Sequence, residues 1–242
     1  MFWDWFRKSD DRYAITAALK ILFGKSLAGE YYGNDWSPDL NFVDPSWYPR
    51  FKRLAINETC EGATRRFLAL GPGGAERKAQ RSILPATWEY YALDIEEKAP
   101  ICQVTTTNLL VSDVCDGIDL EDESVDFVFS NSVFEHLRDP FSAARNIARV
   151  LKPGGFVFTK TVFSWRYHPC SEDYWRFTHR GLEELFSSVG LVTGESGYHI
   201  GARRGSILGG KIRDNLDGVK RDGYGGWREN WEVIHLGQKS EA

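Results

Sequence analysis

Three features of this chain could together hold a nucleoside-like ligand. Phe67 to Leu70 reads as a short buried strand, and Gly71, Pro72, Gly73 and Gly74 then force a tight turn into AERKAQRSIL, which can continue as a helix. A strand running through glycines into a helix brings backbone N–H groups close to a ligand at the helix N-terminus. A Cβ there would block the turn or the ligand. Asp94 ends the next apolar run, 23 residues after Gly71, and Asp113 ends the one after that. A carboxylate in the first place can accept both hydroxyls of a ribose; one in the second could hold a base edge. Taken singly, each feature is more often plain structure, a turn or a helix cap. In register at one end of a sheet they favour a nucleoside-like cofactor.

Such residues need a particular scaffold, and the rest of the pattern supplies it. WEYYALDI (88–95), TTTNLLVSDV (105–114), VDFVFS (125–130) and FVFTKTVF (156–163) read as strands, and LVTGESGY and WEVIHLGQK as the last two. VDFVFS is apolar throughout, as in a strand buried on both faces. Asp139 is a good helix cap with Pro140 at the first helical position, and Lys152-Pro153-Gly154-Gly155 should stop that helix. Thr178 can cap another, ended by Gly190. Strands alternating with amphipathic helices predict an open α/β sheet, mainly parallel. In such sheets ligands lie at the C-terminal ends of the strands.

Residues 1–50 differ in composition. They carry an aromatic cluster, a helix-spaced segment and a Pro- and Asp-rich loop over 31–50, and are expected to form an appendage acting as cap or lid. A helix is expected over part of 51–64. The main domain is expected over 51–242, with a glycine-rich insertion at about 194–226 that holds ten glycines. A chain of 242 residues with 42% hydrophobic content can bury one large core. The net charge of −4 gives no general case for nucleic acid. Cys60, Cys102, Cys115 and Cys170 show no CxxC spacing, which fits a reducing compartment and a cytoplasmic location. No stretch approaches the roughly 18 apolar residues of a membrane span, and no signal peptide is expected. Oligomeric state is not readable.

The run DLEDESVDFVFSNSVFEHLRDPFSAARNIARVLKPGGFVFTK resembles the core of class I S-adenosylmethionine-dependent methyltransferases of the broad small-molecule type. The matching pieces are the acidic lead-in to VDFVFS, then SNSVFEHLRDP, then ARVLKPGG, and the resemblance covers about residues 65–192. It implies a Rossmann-like seven-stranded sheet with the last strand antiparallel and helices on both faces. It also implies S-adenosyl-L-methionine as methyl donor. Gly71 and Gly73 would approach its methionine end, Asp94 the ribose and Asp113 the adenine, while Asn131 would sit beneath the sulfonium and substrate. The family usually has an acid two residues before the first glycine, where it helps hold the methionine amino group; here that residue is Ala69, and the third glycine of the pattern is Ala75.

YHPCSEDYWRFTHRGLEELF (167–186) resembles a stretch of some members linked to sugar and glycan pathways. It should lie over the substrate side, with His168, Asp173, Tyr174 and Arg176 as polar candidates. Arg176 could grip a carboxylate or phosphate through its planar fork, or pair with Asp173 while the aromatics pack the connection. For an oxygen nucleophile, His136 and His168 are the candidate bases, unless each is a part-buried histidine bonded to backbone. Glu135 could orient a substrate or cap the local turn. His168, Cys170 and His179 fit no common zinc spacing, and no metal is expected. The acceptor is expected to be a saccharide or other small molecule. Two other readings compete. A non-catalytic scaffold or partner subunit is favoured by Ala69. A nicotinamide oxidoreductase is opposed by Glu76 where the dinucleotide pattern needs glycine.

Overall fold

A computed structural model describes residues 43–56, 64–95, 108–165, 167–170, 172–202 and 230–241. Its described residues belong, apart from Ala202, to one compact unit, Asn41–Gly201 with Arg228–Ala242. The expected appendage before residue 43 and the glycine-rich stretch from 203 to 229 lie outside the described residues.

The strands are β1 (Arg65–Leu70), β2 (Trp88–Asp94), β3 (Asn108–Val111), β4 (Val125–Asn131), β5 (Leu151–Ser164), β6 (Leu191–Ala202) and β7 (Asn230–Lys239). They form one seven-stranded sheet in the order β3-β2-β1-β4-β5-β7-β6. The pairs β1·β2, β1·β4, β2·β3 and β4·β5 are parallel, and β7 runs antiparallel to β5. The chain winds outward from β1 to β3, returns, and winds the other way from β4. The crevice of such a sheet therefore opens at the C-terminal ends of β1 and β4. The expected architecture is the one found.

Helices α1 (Trp47–Phe51), α2 (Gly74–Ile83), α3 (Pro140–Val150) and α4 (His179–Ser187) flank the sheet. Asp139 caps α3, its carboxylate accepting the N–H groups of Phe141 and Ser142, and the Thr178 hydroxyl accepts from Gly181 N at the start of α4. Both caps answer to the local sequence. One face of the sheet is a slab of rings: Phe67, Tyr90, Phe127, Phe129 and Phe158 are buried, and Phe51 packs onto them at ring-centroid distances of 5.7 Å (Phe67) and 5.1 Å (Phe127). On the opposite face Phe186 of α4 stacks on His235 of β7 at 4.7 Å.

Three local expectations need correction. Residues 47–50, expected as loop, are helical, because Trp47 and Phe51 four positions apart both reach the ring slab. Asp113 does not end β3; it lies two residues beyond Val111, in a turn. The helix α3 does end at Val150, just before Lys152 to Gly155, but the strand expected from residue 156 already begins at Leu151, so this run lies within β5. The π-helical turn Lys52–Ile56 fills the start of the helix expected after 51. β6 extends through Ala202, so the first residues of the glycine-rich stretch are strand.

Candidate active site

At the end of β1 the chain turns through Gly71, whose N–H donates to the Leu93 carbonyl at 2.8 Å. Its φ is +56°, and a Cβ would stand 3.0 Å from Val133 Cγ2, so both conformation and space require glycine. Gly73 is the N-cap of α2 with φ −64°, and a Cβ there would meet nothing within 4 Å. Ser132, immediately after β4, holds φ +55°, a conformation that side chains other than glycine rarely adopt.

These ends enclose a cavity of about 300 Å³. Of the residues singled out from sequence, Gly71, Asp94, Asp113, His136 and Tyr174 line it. Asp94, 4% exposed, is the last residue of β2, and its Oδ1 accepts the Ile95 N–H at 2.9 Å. Asp113 Oδ1 accepts the Cys115 N–H at 2.8 Å, so this acid also shapes its own turn. Burial pushes the Cys115 thiol up to about 11, which keeps it protonated.

Gly73, Asn131, Glu135, His168, Asp173 and Arg176 are not among the lining residues. Asn131 is the last residue of β4, and its Nδ2 donates to Glu76 Oε1 at 3.1 Å. Glu76 lies in the first turn of α2, and desolvation raises its carboxyl above the ordinary carboxylate range. Sequence reasoning used Glu76 only to reject a dinucleotide. Its place three positions past Gly73 in GPGGAE was the available signal that it faces the glycine turn.

A second cluster sits behind the cavity. Glu135 and His136 lie in the 3-10 turn Phe134–His136 that follows β4. The 172–178 segment folds onto this turn: the N–H groups of Tyr174 and Trp175 donate to the Glu135 carbonyl at 2.8 and 3.1 Å, and the Trp175 indole donates to Leu137 O at 2.7 Å. Asp173 and Arg176 form the two-bond pair weighed from sequence, at 2.6 and 2.8 Å. That guanidinium holds the Asp173 carboxyl far below the usual carboxylate range. The Glu135 side chain is fully buried, with Oε2 accepting the Thr161 hydroxyl at 2.6 Å. His136 Nδ1 lies 2.5 Å from the Glu172 carbonyl, and its ring meets that of His168 at 5.0 Å. His179 is elsewhere, on α4, paired with Glu183 at 3.2 Å.

Residues 68–159 match the family model described as a methyltransferase domain. No curated protein matches the chain significantly. Among solved structures, a chain of a Haloferax volcanii complex of the Trm112 methyltransferase activator is similar at a TM-score of 0.52 and 20% identity, covering 81% of this chain and 92% of that one. Phosphoethanolamine N-methyltransferase 2 of Haemonchus contortus, solved with S-adenosyl-L-methionine, is similar at a TM-score of 0.52 and 18% identity, covering 83% and 54%. The [4+2]-cyclase SpnF is similar at a TM-score of 0.54 and 17% identity, covering 80% and 82%. Strand order, the antiparallel β7 and the domain match agree, and this chain has the class I S-adenosylmethionine-dependent methyltransferase fold.

Proposed function

We propose that the protein binds S-adenosyl-L-methionine and transfers its methyl group to an oxygen of a small molecule or saccharide. The observation that carries this reading is the convergence of Gly71, Asp94, Asp113 and His136 on one cavity at the switch point of the sheet. The residues fit the cofactor: a turn that a Cβ would fill, then a buried carboxylate at the end of β2. Gly71 and Gly73 are assigned to the methionine end, Asp94 to the ribose hydroxyls and Asp113 to the adenine. Ala69 is fully buried and offers no acid. We assign its missing charge to Glu76, which reaches the same end of the sheet through Asn131.

The bound cofactor supplies an electrophilic methyl carbon, and what the protein must add is alignment and proton removal. A carbonyl oxygen can only accept, so the contact with Glu172 makes Nδ1 of His136 the donor, and in the neutral ring the lone pair is then on Nε2. His136 is therefore the base, with His168 beside it. Tyr174 is assigned to acceptor binding from the cavity wall, Asp173, paired with Arg176, to orienting the His168 imidazole, and the Glu135 carbonyl to anchoring Tyr174 and Trp175. The exposed thiol of Cys170 at the cavity fits a reducing, cytoplasmic setting.

Calorimetry with S-adenosyl-L-methionine is the first test. Asp94→Ala should weaken binding about 10- to 100-fold, the worth of hydrogen bonds to a charged group. A tritium methyl-transfer screen against nucleotide sugars, glycans and cell extract then seeks the acceptor. His136→Ala should retain the cofactor and lose on the order of 100-fold or more in rate; undiminished labelling by that variant would refute the base. The buried Ala69 favours a second reading, a cofactor-free scaffold, and the same fold carries a protein named as a cyclase. No heat of binding in the wild type, unchanged by Asp94→Ala, would select it.

A further inference from the structure

Glu135 poses a problem that hydrogen bonding does not solve. Its side chain is fully buried, and among the described residues its Oε1 has no hydrogen-bond partner. Burying a carboxylate oxygen without a partner is costly. Among the described residues, His168 Nε2 lies 3.7 Å and His136 Nε2 3.9 Å from it, both beyond hydrogen-bonding distance. One ligand-type atom from each of Glu135, His136 and His168 lies within 4.8 Å of the others.

We propose that Glu135, His136 and His168 form a binding site for one divalent first-row transition cation. Two imidazoles and a carboxylate are a recurrent set for such ions, with ligand bonds of about 2.0–2.2 Å. Bonds of that length put tetrahedral ligands about 3.3–3.5 Å apart, so closing the observed gaps takes small rotamer adjustments. The rings are already oriented for it. Glu172 O holds Nδ1 of His136, and Asp173 Oδ2, paired with Arg176, stands 3.3 Å from Nδ1 of His168. A carbonyl or carboxylate on the far nitrogen fixes the tautomer that presents Nε2 to a metal. Thr161 holds the other oxygen of Glu135, so Oε1 is the one left to ligate. Of the three, His136 also lines the cavity.

The site does not depend on the methyl-transfer reading. A cation there takes the Nε2 lone pair of His136 that the base role uses. The loaded protein would then activate an acceptor hydroxyl by ligation rather than by proton transfer to the ring. In the sequence His168 stands near Cys170 and His179, a spacing that fits no common zinc pattern. The cluster that forms takes Glu135 and His136 from a turn 32 residues before His168.

The test is a titration of metal-stripped full-length protein with Co²⁺, read by its visible absorption and by calorimetry, with no S-adenosyl-L-methionine present. One Co²⁺ per chain should bind, and Zn²⁺ should displace it. His168→Ala and His136→Ala should each weaken binding by on the order of 100-fold or more, beyond the loss expected from removing an outer-shell partner. Cys170→Ser should bind as the wild type does. Absence of Co²⁺ uptake by the folded wild type would overturn the proposal, as would binding lost in Cys170→Ser and retained in His168→Ala. Wild-type binding is read before any variant, so an unstable variant leaves the proposal exposed to refutation.

Discussion

Gly71 is the residue on which the cavity turns, since its backbone sits where L side chains are strained and its missing Cβ leaves room for Val133. Gly71→Ala should cost about 1–2 kcal/mol of stability from the left-handed conformation and should abolish cofactor binding, by urea titration and calorimetry respectively. Glu76 carries the more specific expectation. If its carboxylate replaces the acid absent at Ala69, Glu76→Gln should weaken S-adenosyl-L-methionine about 10-fold or more, while Glu76→Asp should recover part of that loss. Because burial raises the Glu76 carboxyl, wild-type affinity should fall as pH drops through its elevated value, and the Gln variant should lack that dependence. At this scale the sequence was partly readable. Gly71 and Asp94 declare themselves by a turn and a strand end. The Glu135 environment does not, because it arises when the 172–178 segment folds back over a turn that precedes β5.

Two element-level contacts hold the scaffold around that site. Arg50 of α1 is 8% exposed and donates two hydrogen bonds to Glu195 of β6, at 2.8 and 2.6 Å. Arg50→Met would leave Glu195 without this partner. Glu195 keeps partial access to water, so the loss should be about 2 kcal/mol, below the range for a fully buried pair. His235 of β7 is fully buried, and desolvation lowers it to about 4 from 6.5. Between those values the unfolded chain binds a proton that the folded chain refuses. Stability should therefore be complete above pH 6.5 and fall by up to about 3 kcal/mol as pH drops toward 4. His235→Phe keeps a ring against Phe186 but loses the Thr193 contact at 3.0 Å. It should cost about 1 kcal/mol at neutral pH and remove this acid slope, measured by urea titration at pH 7 and pH 4.5. Caps such as Asp139 and Thr178 were legible because their partners lie within three residues. Helix α1 was not: five residues give no periodicity, and its stability comes from rings on β1 and β4.

For the whole molecule, strand alternation and the glycine turn were enough to read the sheet and the end where it opens. The early start of β5 escaped, because a Pro-Gly-Gly run that follows a helix end reads as a loop and here is accommodated in the strand by a register shift against β4. The placement of β7 also bears on synthesis. It lies between β5 and β6, although both precede it in the chain. During translation those two neighbours must wait with open edges until residues 230–239 leave the ribosome, and unpaired edges invite association with other chains. Release of a chain stopped before Asn230 should therefore give aggregates rather than a folded fragment, as judged by sedimentation. Supplying residues 230–239 as a separate peptide during refolding should reduce that loss.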